Sequence, residues 1–153
     1  MQLLRAVWTF GSNITEMVHL WKLYCLSVLE QSCVVWGPSL TQENQDDLER
    51  TQKGFAKLLL GSKYQDYSSA LLRLNLVTLS ERRTVLIAKF AKSSIDNKKL
   101  DKFFILRKSN HDMTLRKPEK YRVTKTNTER FRNSSIPFMQ KLLNQLENDK
   151  EQY

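Results

Sequence analysis

Glycine and proline are scarce, with four and three residues in a chain of 153. A sandwich or barrel needs many tight turns, so this shortage argues against an all-β fold and favours long helices. Cysteine and histidine are scarcer still, at two each. Cys25 and Cys33 on one helix would lie about 12 Å apart, too far for a disulfide. The expectation is two buried thiols in a reducing, intracellular compartment. His19 and His111 are isolated, and no CxxC or HxxxH spacing occurs, so no metal site is expected. No apolar run exceeds five residues and mean hydropathy is −0.50, which predicts no bilayer span. Residues 1–10 mix apolar and basic side chains and have no signal-peptide h-region. GxSxG, P-loop and glycine-rich phosphate-loop motifs are missing too, and nothing aims a nucleophile at either histidine. Neither an enzyme nor a cofactor site is expected. The sequons at Asn13 and Asn133 would matter only in a secreted protein.

What the chain has is positive charge, and it has it in one place. There are 25 Lys and Arg against 16 Asp and Glu. Residues 1–81 carry 7 basic and 8 acidic side chains, and residues 133–153 carry 2 and 3. Residues 82–132 carry 16 basic and 5 acidic, a net +11. A surplus so confined attracts phosphate backbones or acidic surfaces, or else forms a solvated basic tail.

Apolar spacing places the helices. Residues 2–10 read as a helix stopped at Gly11. Asn13 and Glu16 form a capping box, followed by helical spacing through Met17, Val18, Trp21, Tyr24, Cys25, Val28, Leu29 and Trp36, which predicts one helix up to Gly37-Pro38. Thr41 caps a third helix with an acidic start, an inward stripe of Leu48, Phe55, Leu58 and Leu59, and an end at Gly61. A short helix over 67–74 closes on Asn75. Thr78 and Glu81 make a second capping box, with Leu79, Leu86, Ile87, Phe90 and Ala91 on one face and Arg82, Arg83, Lys89 and Lys92 mostly off it. A shorter helix is expected over 98–106. Residues 107–135 show no helical stripe and read as a basic extended segment with short strands around 121–124. Pro137 precedes a last amphipathic helix carrying Phe138, Leu142, Leu143 and Leu146. The predicted fold class is therefore all-α: a helical bundle over 1–106, then a basic, largely irregular tail over 107–153 that ends in a short helix.

Asp46-Asp47 is the one adjacent carboxylate pair. Paired aspartates hold two magnesium ions in polymerases, but here their neighbours are those of an exposed helix start. Trp8, Trp21 and Trp36 sit at core spacing. In the tail, Lys120-Tyr121-Arg122 and Arg130-Phe131-Arg132 place an aromatic between cations. That pattern suits base stacking with phosphate pairing, or a tail that docks its aromatic on the bundle.

Four segments together resemble the C-terminal region of non-LTR (LINE-type) retrotransposon reverse transcriptases. Tyr24, Val28-Leu29-Glu30 and Cys33-Val34-Val35-Trp36 are similar to their P-V-L-E-Y…V-W helix. Leu48-Glu49-Arg50-Thr51-Gln52-Lys53 looks like their LExxQ[KR] helix. Leu72, Leu74-Asn75-Leu76 and Thr78 to Arg83 are similar to RLxLxxLxxRR. Thr128-Glu129-Arg130-Phe131-Arg132-Asn133-Ser134-Ser135-Ile136-Pro137 resembles the R(x)F(x)NSxIP tail. The sequence departs at Ser27, Gln31 and Phe138-Met139, where relatives carry proline, tyrosine and Trp-Asn.

The resemblance implies a thumb-like bundle plus tail, without the fingers, the palm or the metal-binding aspartates. The chain would then be a non-catalytic fragment of an RNA-directed DNA polymerase. It would grip template–primer nucleic acid, RNA or DNA, through phosphate contacts rather than base reading. The residues expected to do so are Arg82, Arg83, Lys89, Lys92, Arg116, Lys117, Lys120, Arg122, Lys125, Arg130 and Arg132, with Tyr121 and Phe131 as stacking aromatics. Arg82 and Arg83 have a second reading, in which either pairs with Glu81, Asp66 or another carboxylate and orders the helix start. The alternative function is a helical protein-interaction or self-association module, whose exposed apolar face meets a palm subunit or a second copy.

Overall fold

The computed structural model describes residues 2–97, 100–106 and 119–150. It is mostly helical, and the described residues contain no strand. The helices are α1 (Gln2–Thr9), α2 (Ile14–Leu20), α3 (Leu26–Glu30), α4 (Cys33–Trp36), α5 (Gln42–Leu60), α6 (Tyr67–Leu74), α7 (Leu79–Asp96), α8 (Glu129–Arg132) and α9 (Ser135–Lys150). A π-helical segment, Trp21–Cys25, joins α2 to α3. None of these helices is long and apolar enough to cross a membrane.

The chain forms two compact units. One comprises the residues up to Cys33 with Leu40–Arg83, and the other comprises Val34–Ser39 with Thr84–Tyr153. Composition changes at 106/107, whereas packing divides within α7, whose first turn belongs to the first unit and whose remainder belongs to the second.

In the first unit the caps form as their residue types dictate. Asn13 accepts from the Glu16 amide at 2.8 Å, and the Glu16 carboxylate accepts from the Asn13 amide at 3.1 Å. Thr41 and Asp66 cap α5 and α6. Asn75 takes the left-handed conformation (φ 49°, ψ 52°) that ends α6, and the Leu76 amide donates back to the Leu71 carbonyl. Thr78 and Glu81 exchange side-chain and backbone hydrogen bonds at the start of α7. The core centres on Trp21 stacked on Phe55, with ring centroids 4.4 Å apart and planes 11° from parallel. Leu4, Met17, Leu26, Leu59, Leu71, Leu74 and Leu79 surround that pair.

The continuous helix expected over 14–36 does not form. Its π turn adds one residue, so the inward face runs Met17, Trp21, Leu26 instead of keeping a 3.6 period. Tyr24 and Val28, expected inside, are 61% and 71% exposed. The helix then breaks at Ser32, which has positive φ (55°), before Cys33–Trp36 resumes. Cys25 and Cys33 are both thiols. Cys33 is buried as expected, whereas Cys25 is only half-buried, and that partial burial pushes its thiol above the ordinary range.

The second unit packs Ile87 and Ala91 of α7 with Phe104, Tyr121, Met139 and Leu143. Phe90, expected on the inner face of α7, is exposed. Where a helix was expected over 98–106, the described part is a single 3-10 turn, Asp101–Phe103. The strands expected around 121–124 reduce to one antiparallel bridge, Leu106 with Tyr121. Within the stretch read as extended, a short helix, α8, forms behind a Thr128 cap.

Candidate nucleic-acid interface

Polar side chains of α9 shape the basic surface. Gln140 and Asn144 lie one turn apart and are both buried. Asn144 takes the place of a neighbouring strand: its Oδ1 accepts from the Tyr121 amide at 2.8 Å, and its Nδ2 donates to the Tyr121 carbonyl at 2.9 Å. Gln140 Oε1 accepts from the Thr124 amide at 2.8 Å, while its Nε2 donates to the Phe103 carbonyl at 2.6 Å. The Arg122 amide donates to the Ile105 carbonyl at 2.9 Å. These bonds satisfy the backbone of a segment that has no sheet of its own. They also tie residues 121–124 to residues 103–105. Between those two segments lies a groove of about 220 Å³ lined by Lys102, Phe103, Ile105, Arg122, Thr124, Lys125 and Gln140. Among the described residues, three cations and no carboxylate line it.

The residues expected to contact phosphate separate into groups. Lys89 and Lys92 are exposed on α7, and Arg122, Lys125 and Arg130 are exposed beyond it. Lys120 and Arg132 reach the surface beside carboxylates, at 3.3 Å from Glu147 and 3.2 Å from Glu129. Arg116 and Lys117 lie outside the described residues.

Three residues take positions other than those expected. Arg82 holds Glu30 in a two-pronged ion pair, through Nε on Oε1 and through Nη2 on Oε2 at 3.0 Å. Its pKa is raised, first by that hydrogen bond, and burial works against the rise. The second reading of this arginine, pairing with a carboxylate, is the one the geometry carries, and the carboxylate is Glu30. Arg83 is 5% exposed and is withdrawn from the surface set. Tyr121, expected to stack on bases, is 6% exposed and packs in the second core. Of the two aromatic-between-cations triplets, the first therefore docks its ring. The second leaves Phe131 45% exposed on α8.

Sequence reasoning passed over Lys102 and Phe103, because residues 98–106 read as one more short helix. It also passed over Gln140 and Asn144. Two amides spaced i, i+4 among Met139 and Leu143 were the available signal, since amides on an apolar face bond to backbone.

Asp46 and Asp47 sit in the first turns of α5. Asp46 accepts from Gln42 Nε2 at 3.0 Å, and Asp47 pairs with Arg50 at 2.6 Å. Both therefore lie at a helix start, as their flanking residues implied, with partners inside the same helix.

Comparison with protein-family models, with curated proteins and with solved structures finds no match for this chain.

Proposed function

We propose that the chain binds nucleic acid through phosphate contacts without catalysing a reaction, as the thumb-and-tail piece of a LINE-type reverse transcriptase. The observation that carries this reading is the concentration of exposed cations in the second unit. Lys89, Lys92, Lys102, Arg122, Lys125 and Arg130 are all exposed there, and the unit carries 16 basic and 8 acidic side chains, a net +8. Exposed lysines and arginines neutralise phosphates whatever the base sequence, so the affinity would be general rather than sequence-reading. Two resembling segments also have structural work that suits a thumb. Glu30 of the first pairs with Arg82 of the third, so the motif that relatives share binds its own helices together.

The test is fluorescence anisotropy of a labelled RNA–DNA hybrid with the whole chain, repeated across a salt series. Saturable binding that weakens steeply with salt supports the reading, and no binding at low salt refutes it. A second reading, self-association, rests on Leu23, Tyr24 and Val28, three exposed apolar side chains within six residues of the first unit. Sedimentation that shows a salt-insensitive dimer, without nucleic-acid binding, would favour it.

A further inference from the structure

We infer that the groove between residues 102–105 and 122–125 is a single-strand site, where one unpaired base stacks on Phe103 and the flanking phosphates meet Lys102, Arg122 and Lys125. This inference rests on the nucleic-acid reading above and adds the form of the ligand.

The chemistry of the lining selects the class. Among the described lining residues, three cations stand with no carboxylate, which calls for an anion, and a partly exposed aromatic beside them calls for a flat apolar partner. A nucleotide joins the two on adjacent atoms. A duplex does not supply this combination, because its bases already stack on each other and turn only their edges outward. An unpaired base offers its π-face to a side chain. The size agrees. At about 220 Å³ the groove is smaller than the 300–1,000 Å³ typical of pockets for whole drug-sized ligands. It suits one nucleotide of a passing strand.

The Phe103 ring already holds a stand-in. The Lys102 ammonium sits 5.3 Å from its centroid. An exposed cation–π contact is weaker than a base–aromatic stack, so an incoming base displaces the ammonium. The lysine stem is long enough to carry that charge onto a neighbouring phosphate. The platform is fixed in advance, because Gln140 holds the Phe103 carbonyl and the Thr124 amide, and Arg122 is tied to Ile105. Little ordering is left to be done on binding.

The test compares three labelled probes at one salt concentration with the whole chain: a short oligothymidylate, the same strand with its bases removed, and a duplex of equal length. Phe103→Leu keeps an apolar side chain and removes the ring. Expected is a loss of about 5- to 150-fold for the oligothymidylate, the range for one base–aromatic stack. The wild type should bind the abasic strand as weakly as the variant does, and duplex affinity should stay unchanged. Equal affinity of the wild type for abasic and intact strands overturns the inference, while duplex binding retained in that experiment leaves the phosphate reading standing. If neither strand nor duplex binds, both readings fall. Should Phe103→Leu lose its fold by circular dichroism, the abasic comparison on the wild type decides alone. Lys102→Gln with Lys125→Gln then has to weaken the single strand more than the duplex.

Discussion

A guanidinium gripped by both oxygens of a carboxylate is a poor phosphate contact, because reaching for phosphate means giving up the pair. Arg82 is in that position with Glu30. Its side chain is partly exposed, so the pair is worth less than a buried one but more than a lone surface pair. Arg82→Ala should cost about 1–2 kcal/mol, a fall in Tm of roughly 2–8 °C. The salt slope of nucleic-acid binding should not change. Thermal melts and a salt titration of the same variant decide this, and a flatter slope with an unchanged Tm would return Arg82 to the phosphate set. Tyr67 offers a second residue-scale test. Its hydroxyl donates to Glu49 Oε2 and accepts from Gln52 Nε2 at 3.1 Å. Burial, and after it the Glu49 carboxylate, push the phenol well above its usual range. Below about pH 10 the folded and unfolded chains both keep this proton. Above it the unfolded chain loses the proton first, so the contribution to stability declines as pH rises towards the folded pKa. Denaturant melts should show the wild type losing more stability between neutral pH and pH 11 than Tyr67→Phe does. Equal losses would mean that the phenol is not held as drawn. At neutral pH the variant should be about 1–2 kcal/mol less stable, because Glu49 Oε2 loses its donor.

At the scale of elements, side-chain amides replace secondary structure. Asn144 on α9 gives the Tyr121 backbone the two bonds that a strand would give, and Gln140 does the same across the groove. Asn144→Ala leaves a buried amide and carbonyl unpaired and should cost about 2–4 kcal/mol. Hydrogen exchange at the Tyr121 amide should quicken far more than exchange in α5. If both stay protected, water or another side chain has replaced the amide. This device also explains which parts of the fold could be read in advance. The capping pairs Asn13–Glu16 and Thr78–Glu81, the Thr41 cap and the Asn75 closure were legible because their bonds run between residues three or so apart. The π turn at Trp21–Cys25 was not, because a single extra residue leaves the local composition helical while it rotates Tyr24 and Val28 outward. The Ser32 break carries neither glycine nor proline to announce it. The site was half legible for the same reason. Arg122 and Lys125 stood out by charge, but the partner wall, Lys102 and Phe103, is brought to them by Gln140 from far along the chain.

Charge governs the molecule as a whole. The first unit is close to neutral and the second holds the surplus, so any phosphate contact should belong to the second. Affinity then depends on how many cations are free to meet phosphates, and burial and pairing already remove some. Arg83 is inside and Arg82 is engaged. Lys120 and Arg132 each stand beside a carboxylate that weakens their pull. If about four to six phosphates are neutralised, log K should fall with log salt at a slope of roughly −3.6 to −5.4. Between 50 and 200 mM salt that is about two to three decades of affinity. Substitutions sort by the same count. Lys89→Ala with Lys92→Ala, and separately Arg122→Ala with Lys125→Ala, should each flatten the slope by about two units and leave Tm nearly unchanged. Lys120→Ala with Arg132→Ala should flatten it less, because Glu147 and Glu129 already offset the pull of these two cations. Duplex sequence should hardly matter, since lysines and arginines that meet phosphates read no base edges. If neither exposed pair moves the slope, the positive surface is only a solvated tail, and the apolar patch at Leu23, Tyr24 and Val28 becomes the better guide to what the chain does.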